Sequence, residues 1–238
     1  MKNSSATYED VRAGFAPVAI DFREDSERLV VAFGGMARAR EMPIFEFLKS
    51  TSCLDASKVY IRDLRRIWYH HGLPGIGENI DAIAGYLSGL IGNRHFERVV
   101  FLGSSTGAYA AILFGFLLGV DTVIAFVPKT FLNPWRRLIH FDVKTWRQMW
   151  TLIWSRTAQQ QYFDLRHVLE SRQTTTEFYI HYSADGRADI LHAEHLRGIP
   201  HVHLLEHPMG GHMLVRRLRD TGELKGILME SVRAGSRD

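Results

Sequence analysis

The chain has 238 residues, 46% of them hydrophobic and 23% charged, which is enough apolar material for one sizeable core and too little length to demand a second. Its 29 basic and 26 acidic residues are spread along the whole length and leave a net charge of +3, so no basic block points to nucleic acid, and the bias toward anionic substrates is weak. A single cysteine, Cys53, excludes an internal disulfide, and neither a signal-like amino terminus nor an apolar run of membrane-spanning length is present, so a cytoplasmic protein of one domain, residues 1–238, is expected.

Short apolar runs alternate with longer helical patterns, which predicts an α/β fold: a mostly parallel sheet flanked by helices. The first two strands are expected at Val18 to Phe22 and Arg28 to Phe33. The second runs into Gly34-Gly35-Met36, where glycines let the backbone approach a substrate carbonyl closely. Gly35 and Met36 are therefore candidate oxyanion donors. Arg38 and Arg40 follow in the same loop as solvated arginines or contacts to an anion, and a helix is expected from Pro43 to Ser50. A strand from Lys58 to Arg62 leads into a loop with Trp68, Tyr69, His70 and His71, and a helix from Gly77 to Ile91 follows.

The most informative stretch is Arg98 to Gly115. An apolar β-branched run, Arg98 to Leu102, enters Gly103-Ser104-Ser105-Thr106-Gly107, and a small-residue helix pattern, Thr106 to Leu118, leaves it. Strand, glycine-flanked serine and helix in that order make a nucleophile elbow, a tight turn that lifts a hydroxyl clear of the backbone beside free N–H donors. Ser105 is the candidate nucleophile and the N–H of Thr106 the second oxyanion donor.

A strand from Thr122 to Val127 precedes some fifty residues that break the rhythm and carry Trp135, Trp146, Trp150 and Trp154. An insertion beyond the carboxyl end of a strand, over about 131–172, is expected to form a lid over the ligand crevice. Trp146, Trp150 and Trp154 recur at helical spacing on a helix expected from Lys144 to Gln160 and read as its buried stripe. Trp135 is left as a candidate pocket residue, with Trp68 and Tyr69 as the alternative lining.

After a strand from Phe178 to Tyr182, the segment Tyr182 to Asp189 offers two acids, Asp185 and Asp189. Either can orient a histidine. Asp185 lies in an Asp-Gly turn, and Asp189 stands before a helix pattern, Ile190 to Leu196, where capping is its ordinary role. The last strand, Val202 to Leu205, is followed by Pro208-Met209-Gly210-Gly211-His212 and a helix from Met213 to Arg219. His212 is the candidate base because an elbow serine, an acid and then a histidine is the chain order of such sheets. His201 and His203 share a strand face without a third ligand, so no metal is expected, and no cofactor either.

Taken together, these residues resemble the α/β-hydrolase superfamily over nearly the whole length. More narrowly the chain is similar to a bacterial group of small serine hydrolases found among exopolysaccharide and glycan-processing proteins. That likeness is carried by Phe33-Gly34-Gly35, Arg62-Asp63, Trp68-Tyr69, Gly103 to Gly107, Phe126 to Thr130, Asp189 to Glu194 and Gly211-His212. It implies Asp189 rather than Asp185 as the acid. Thr106-Gly107-Ala108 departs from the usual small residue followed by two glycines, and the tryptophan-rich insert has no counterpart. The resemblance implies a serine esterase or thioesterase acting through an acyl-enzyme on a small-molecule substrate, carrier- or glycan-linked. The rivals are an acyltransferase using the same triad on a sugar or natural-product acceptor, and a non-catalytic scaffold that keeps the fold.

Overall fold

The computed structural model describes residues 16–36, 46–139 and 145–233. Arg38, Arg40 and the start of the helix expected at Pro43 lie outside those residues, as does Lys144. Seven strands form one sheet: β1 (Val18–Asp21), β2 (Arg28–Phe33), β3 (Ser57–Ile61), β4 (Arg98–Ser104), β5 (Thr122–Phe126), β6 (Glu177–Ser183) and β7 (Val202–His207). The helices are α1 (Ile80–Gly92), α2 (Thr106–Leu118), α3 (Pro134–Ile139), α4 (Trp146–Ile153), α5 (Leu165–Glu170), α6 (Arg187–Glu194), α7 (Leu214–Asp220) and α8 (Glu223–Arg233). No helix among the described residues is long and apolar enough to cross a membrane.

The strand order is β1-β3-β2-β4-β5-β6-β7, with β1 antiparallel to β3 and every other pair parallel. Parallel strands covered on both faces need apolar side chains pointing both ways, which is why β4 is an unbroken run rather than an alternation. Phe101 of β4 packs with Val31 and Phe33 of β2 against Ile83 and Leu87 of α1 and Tyr109 and Leu113 of α2. Its neighbours Val100 and Leu102 face the other way, onto Leu214 and Leu218 of α7 and Leu224 and Leu228 of α8. Helix α2 is buried from Thr106 to Phe116, and its small residues are what let it sit so deep. At Gly115 an added Cβ would come within 2.3 Å of Val123 Cγ2.

The chain leaves β2 for β3 on one side and returns past β2 to β4 on the other. The carboxyl ends of β2 and β4 therefore flank a switch point, where such sheets open a crevice. Phe33 pairs with Gly103 in the register, so Gly34-Gly35-Met36 and Ser105 emerge side by side.

The helix in the insert differs from the expected tryptophan stripe. Residues buried on α4 are Met149 and Leu152, while Trp150 and Trp154 point outward, the latter 79% exposed. Positions 149 and 152 fix the inward face, and at about 100° per residue position 150 falls roughly a third of a turn off it and position 154 nearly opposite. Trp146 is partly buried against the core and meets Trp150 edge-on at 5.6 Å. The expected long helix is a short α4 followed by coil and a 3-10 turn at Gln160–Tyr162, and residues 46–53 form turns rather than the end of a helix.

Candidate active site

Ser105 occupies the turn between β4 and α2 at φ 53° and ψ −114°, a conformation that costs a non-glycine residue free energy and is held by its surroundings. Two glycines make those surroundings possible. A Cβ on Gly103 would stand 2.2 Å from Gly107 O, and one on Gly107 would stand 2.1 Å from Phe33 O. Each would push α2 off the sheet. The turn is pinned to β5 by the Ser105 N–H, which donates to Phe126 O at 2.9 Å.

His212 reaches this serine from the 3-10 turn Gly211–Met213, beyond β7. Its Nε2 lies 2.9 Å from Ser105 Oγ, and its Nδ1 lies 3.0 Å from Asp189 Oδ1. Serine, imidazole and carboxylate are thus hydrogen-bonded in series. Asp189 is not a cap. It is the third residue of α6, buried with 3% of its surface exposed, and Gly186 makes room for it, since a Cβ there would approach Asp189 Oδ2 to 2.6 Å.

Asp185 does something else. Its carboxylate accepts hydrogen bonds from Ser183 Oγ, from Gly211 N at 2.8 Å and from Gly210 N at 3.2 Å. These bonds, the Ser183 one foremost, hold its carboxyl below the usual range. Gly210 at φ 132° and Gly211 at φ 47° take backbone shapes that other residues resist, and Asp185 ties that turn to the end of β6. It fixes the platform from which His212 projects.

The candidate oxyanion donors lie across the crevice. Thr106 N–H, at the first turn of α2, has no acceptor among the described residues, and the same holds for Met36 N–H. Gly35 N–H instead donates to Glu46 Oε2 at 2.8 Å, so of the two loop donors expected from sequence one is engaged by a side chain. Gly34 is braced from below, because Tyr69 Oη donates to Gly34 O at 2.8 Å. Tyr69 is wholly buried and off the cavity wall, so its place is as a strut and not as pocket lining.

A cavity of about 1080 Å³ opens over Ser105, walled by Met36, Glu46, Trp68, Lys129, Arg137 and the His212 turn among others. Trp68 does line it. Asp63 sets this up, accepting from Arg65 N at 3.0 Å and Tyr69 N at 2.9 Å and so folding the loop that carries Trp68 at φ 54°. The Trp68 indole N–H and the Thr106 hydroxyl are buried without a hydrogen-bond partner among the described residues. Trp135 is 69% exposed and absent from the wall. The insert contributes Arg137 and Thr145 instead. Arg137 is buried, donates to Thr145 Oγ1 at 2.8 Å and stacks 5.6 Å from the Trp68 ring, because its α3 helix turns that residue inward while its neighbour Trp135 turns out.

Glu46 is the wall residue that sequence reading missed. It sits in a turn eleven residues beyond Gly35, and nothing in its local pattern announces that the chain folds back there. Burial pushes its carboxyl up from an ordinary 4.5 to about 7, and the Gly35 N–H only partly opposes that. Between those values the folded protein holds a proton that the unfolded chain has released. The associated stability is complete below pH 4.5 and lost as pH rises through about 7. Glu46→Gln keeps an acceptor for Gly35 and removes the titration, so the variant should gain on the order of 2 kcal/mol relative to the parent between acid and pH 8. Thermal melts of both proteins across that range check it, and parallel curves would refute it.

Buried histidines act in the opposite sense. His70, bonded to Tyr109 Oη at 2.9 Å, and His181, facing His207 at 3.0 Å, are both pushed down to about 3 by burial. They stay neutral in the folded state. No group of three or more potential metal ligands occurs among the described residues.

The strand order, the elbow and the crevice define an α/β-hydrolase fold. Comparison with solved structures agrees: the capsule O-acetyltransferase of Neisseria meningitidis serogroup A superposes with a TM-score of 0.63 at 17% identity, over 87% of this chain and 90% of that one. Brefeldin A esterase, a bacterial homologue of human hormone-sensitive lipase, gives 0.55 at 16% over 89% and 71%. Acetyl xylan esterase 1 from Thermoanaerobacterium sp. gives 0.56 at 14% over 89% and 77%. No family model matches the sequence, and no curated protein does.

Proposed function

We propose that the protein is a serine hydrolase that cleaves an ester or thioester through an acyl-enzyme. The observation that carries this reading is the continuous bond chain from Ser105 Oγ through His212 to Asp189 at 2.9 and 3.0 Å. His212 Nε2 takes the Ser105 proton as Oγ attacks the substrate carbonyl, and Asp189 holds the Nδ1–H tautomer and stabilises the imidazolium. Negative charge on the carbonyl oxygen is met by the N–H groups of Thr106 and Met36. Collapse expels the alkoxide or thiolate, which leaves with the proton from His212. Water then repeats the sequence on the acyl-serine and frees the acid.

Transfer to an acceptor hydroxyl in place of water is the second reading. It draws on the likeness to the capsule O-acetyltransferase, whose histidine-to-alanine variant is known in complex with CoA. The chemistry differs only in which nucleophile reaches the acyl-enzyme. Incubation with p-nitrophenyl esters and acyl thioesters, with and without sugar acceptors, followed by intact mass, separates the two. A transient acyl adduct discharged by water supports hydrolysis, and one discharged faster by a sugar supports transfer. No adduct and no turnover on any substrate would overturn both.

The two acids have separable roles in this scheme. Asp189→Asn leaves His212 without the acceptor that fixes its tautomer, and a loss of about 10⁴ in kcat is expected. Asp185→Asn keeps one oxygen for the Gly210 and Gly211 donors, so a loss below about a hundredfold is expected, with a lower melting temperature. Steady-state kinetics beside thermal melts check the pair, and the reverse ranking would move the acid to Asp185.

A further inference from the structure

The catalytic cavity borders a second one. Ser50 and Arg219 belong to its wall and also to the wall of a second, smaller cavity of about 240 Å³, whose other lining includes Lys49, Cys53, Gly222 and Lys225. Three cations and no carboxylate line this second space. Lys49 and Lys225 are exposed, and neither ammonium makes an ion pair or hydrogen bond among the described residues. Arg219 meets Asp220 at 3.5 Å and Arg216 meets it at 3.7 Å, solvent-exposed contacts of the kind that contribute little and yield readily to a better partner.

Asp185 and Asp189 line the catalytic cavity as carboxylates, one bonded to the Gly210-Gly211 turn and one to His212. Glu46 is half-buried against Gly35. On that wall the basic side chains Lys129, Arg137, Arg187, Arg216 and Arg219 outnumber the three acids, a surplus that favours an anion as it approaches.

We infer that the second cavity is a subsite for a phosphate ester carried by an extended substrate whose other end reaches Ser105. A phosphate fits better than a carboxylate, because a single guanidinium satisfies a carboxylate whereas a multiply charged phosphate uses an arginine and two lysine ammoniums together. The subsite rests on the acyl-transfer reading only for the identity of the molecule that bears the phosphate. That molecule is either an acyl donor built on a nucleotide phosphate or a glycan acceptor that bears a phosphate monoester.

Isothermal titration of the full chain with inorganic diphosphate tests the subsite without any need for turnover. Binding to the parent is expected, weakened at least about tenfold in Lys49→Glu/Lys225→Glu and less in Lys49→Gln/Lys225→Gln. Failure of the parent to bind, or equal binding by all three proteins, overturns the inference. The kinetic arms then name the source. If the donor bears the phosphate, the ratio of kcat/KM for acetyl-CoA to that for neutral p-nitrophenyl acetate falls about tenfold in the charge-reversed variant, through KM. If the acceptor bears it, that ratio holds and the KM for a sugar phosphomonoester acceptor rises instead. Weakened diphosphate binding with neither substrate affected would overturn the assignment to the substrate. Absence of turnover on every ester would refute the proposed function and leave the titration to decide the subsite.

Discussion

Ser105→Ala should abolish labelling by a fluorophosphonate probe and lower ester turnover by roughly 10³ to 10⁶. The expectation follows from where the hydroxyl stands. Ser105 Oγ is the elbow atom bonded to His212 Nε2, whereas the neighbouring Ser104 ends β4 and is buried, with 8% of its surface exposed. Alanine adopts the same strained turn with the same N–H to Phe126 O, so the fold is retained and the melting temperature should move little. Labelling that persists in the variant, or that maps to Ser104, would remove Ser105 from the chemistry.

An effect of similar size is expected from His212→Ala. The imidazole is the sole proton acceptor within hydrogen-bonding distance of Ser105 Oγ among the described residues, and without it the serine must attack unassisted. A loss of roughly 10³ to 10⁶ in kcat is the scale for removing such a base. His207 is the instructive control. It lies five residues earlier, at the end of β7, and its Nε2 faces His181 Nδ1 at 3.0 Å rather than the serine. His207→Ala should therefore lower stability more than turnover. Assay of both variants against one neutral ester decides the matter, and a near-active His212→Ala would transfer the role elsewhere.

All seven strands are legible in the sequence, most plainly β2, β4 and β5, because parallel strands covered on both faces demand contiguous apolar residues and these three supply them without interruption. Their ends extend beyond the apolar runs, as at Gly103-Ser104 and Glu206-His207, because the ladder continues through polar residues once a partner strand is in place. Helices α3 and α5 leave little trace, being six residues each and too short for a period to declare itself. The tryptophans mislead for a different reason. Their size suggests burial, yet Met149 and Leu152 take the inward face of α4. Asp185 and Asp189 are four residues apart, and what separates them is that Asp185 lies in the turn before α6 while Asp189 sits in its first turn, facing His212. Glu46 is silent in sequence since its meaning depends on a return of the chain to Gly35.

The elbow also has a bearing on how the sequence can drift. A non-glycine residue held at φ 53° stores on the order of 1–3 kcal/mol, and glycine at position 105 would release part of it. Random substitution therefore meets a downhill route at this codon, toward a protein that is more heat-resistant and chemically inert. A serine kept there marks a place where selection for a reaction outweighs selection for durability, and a laboratory search for thermostable variants that ignores activity should rediscover Ser105→Gly early.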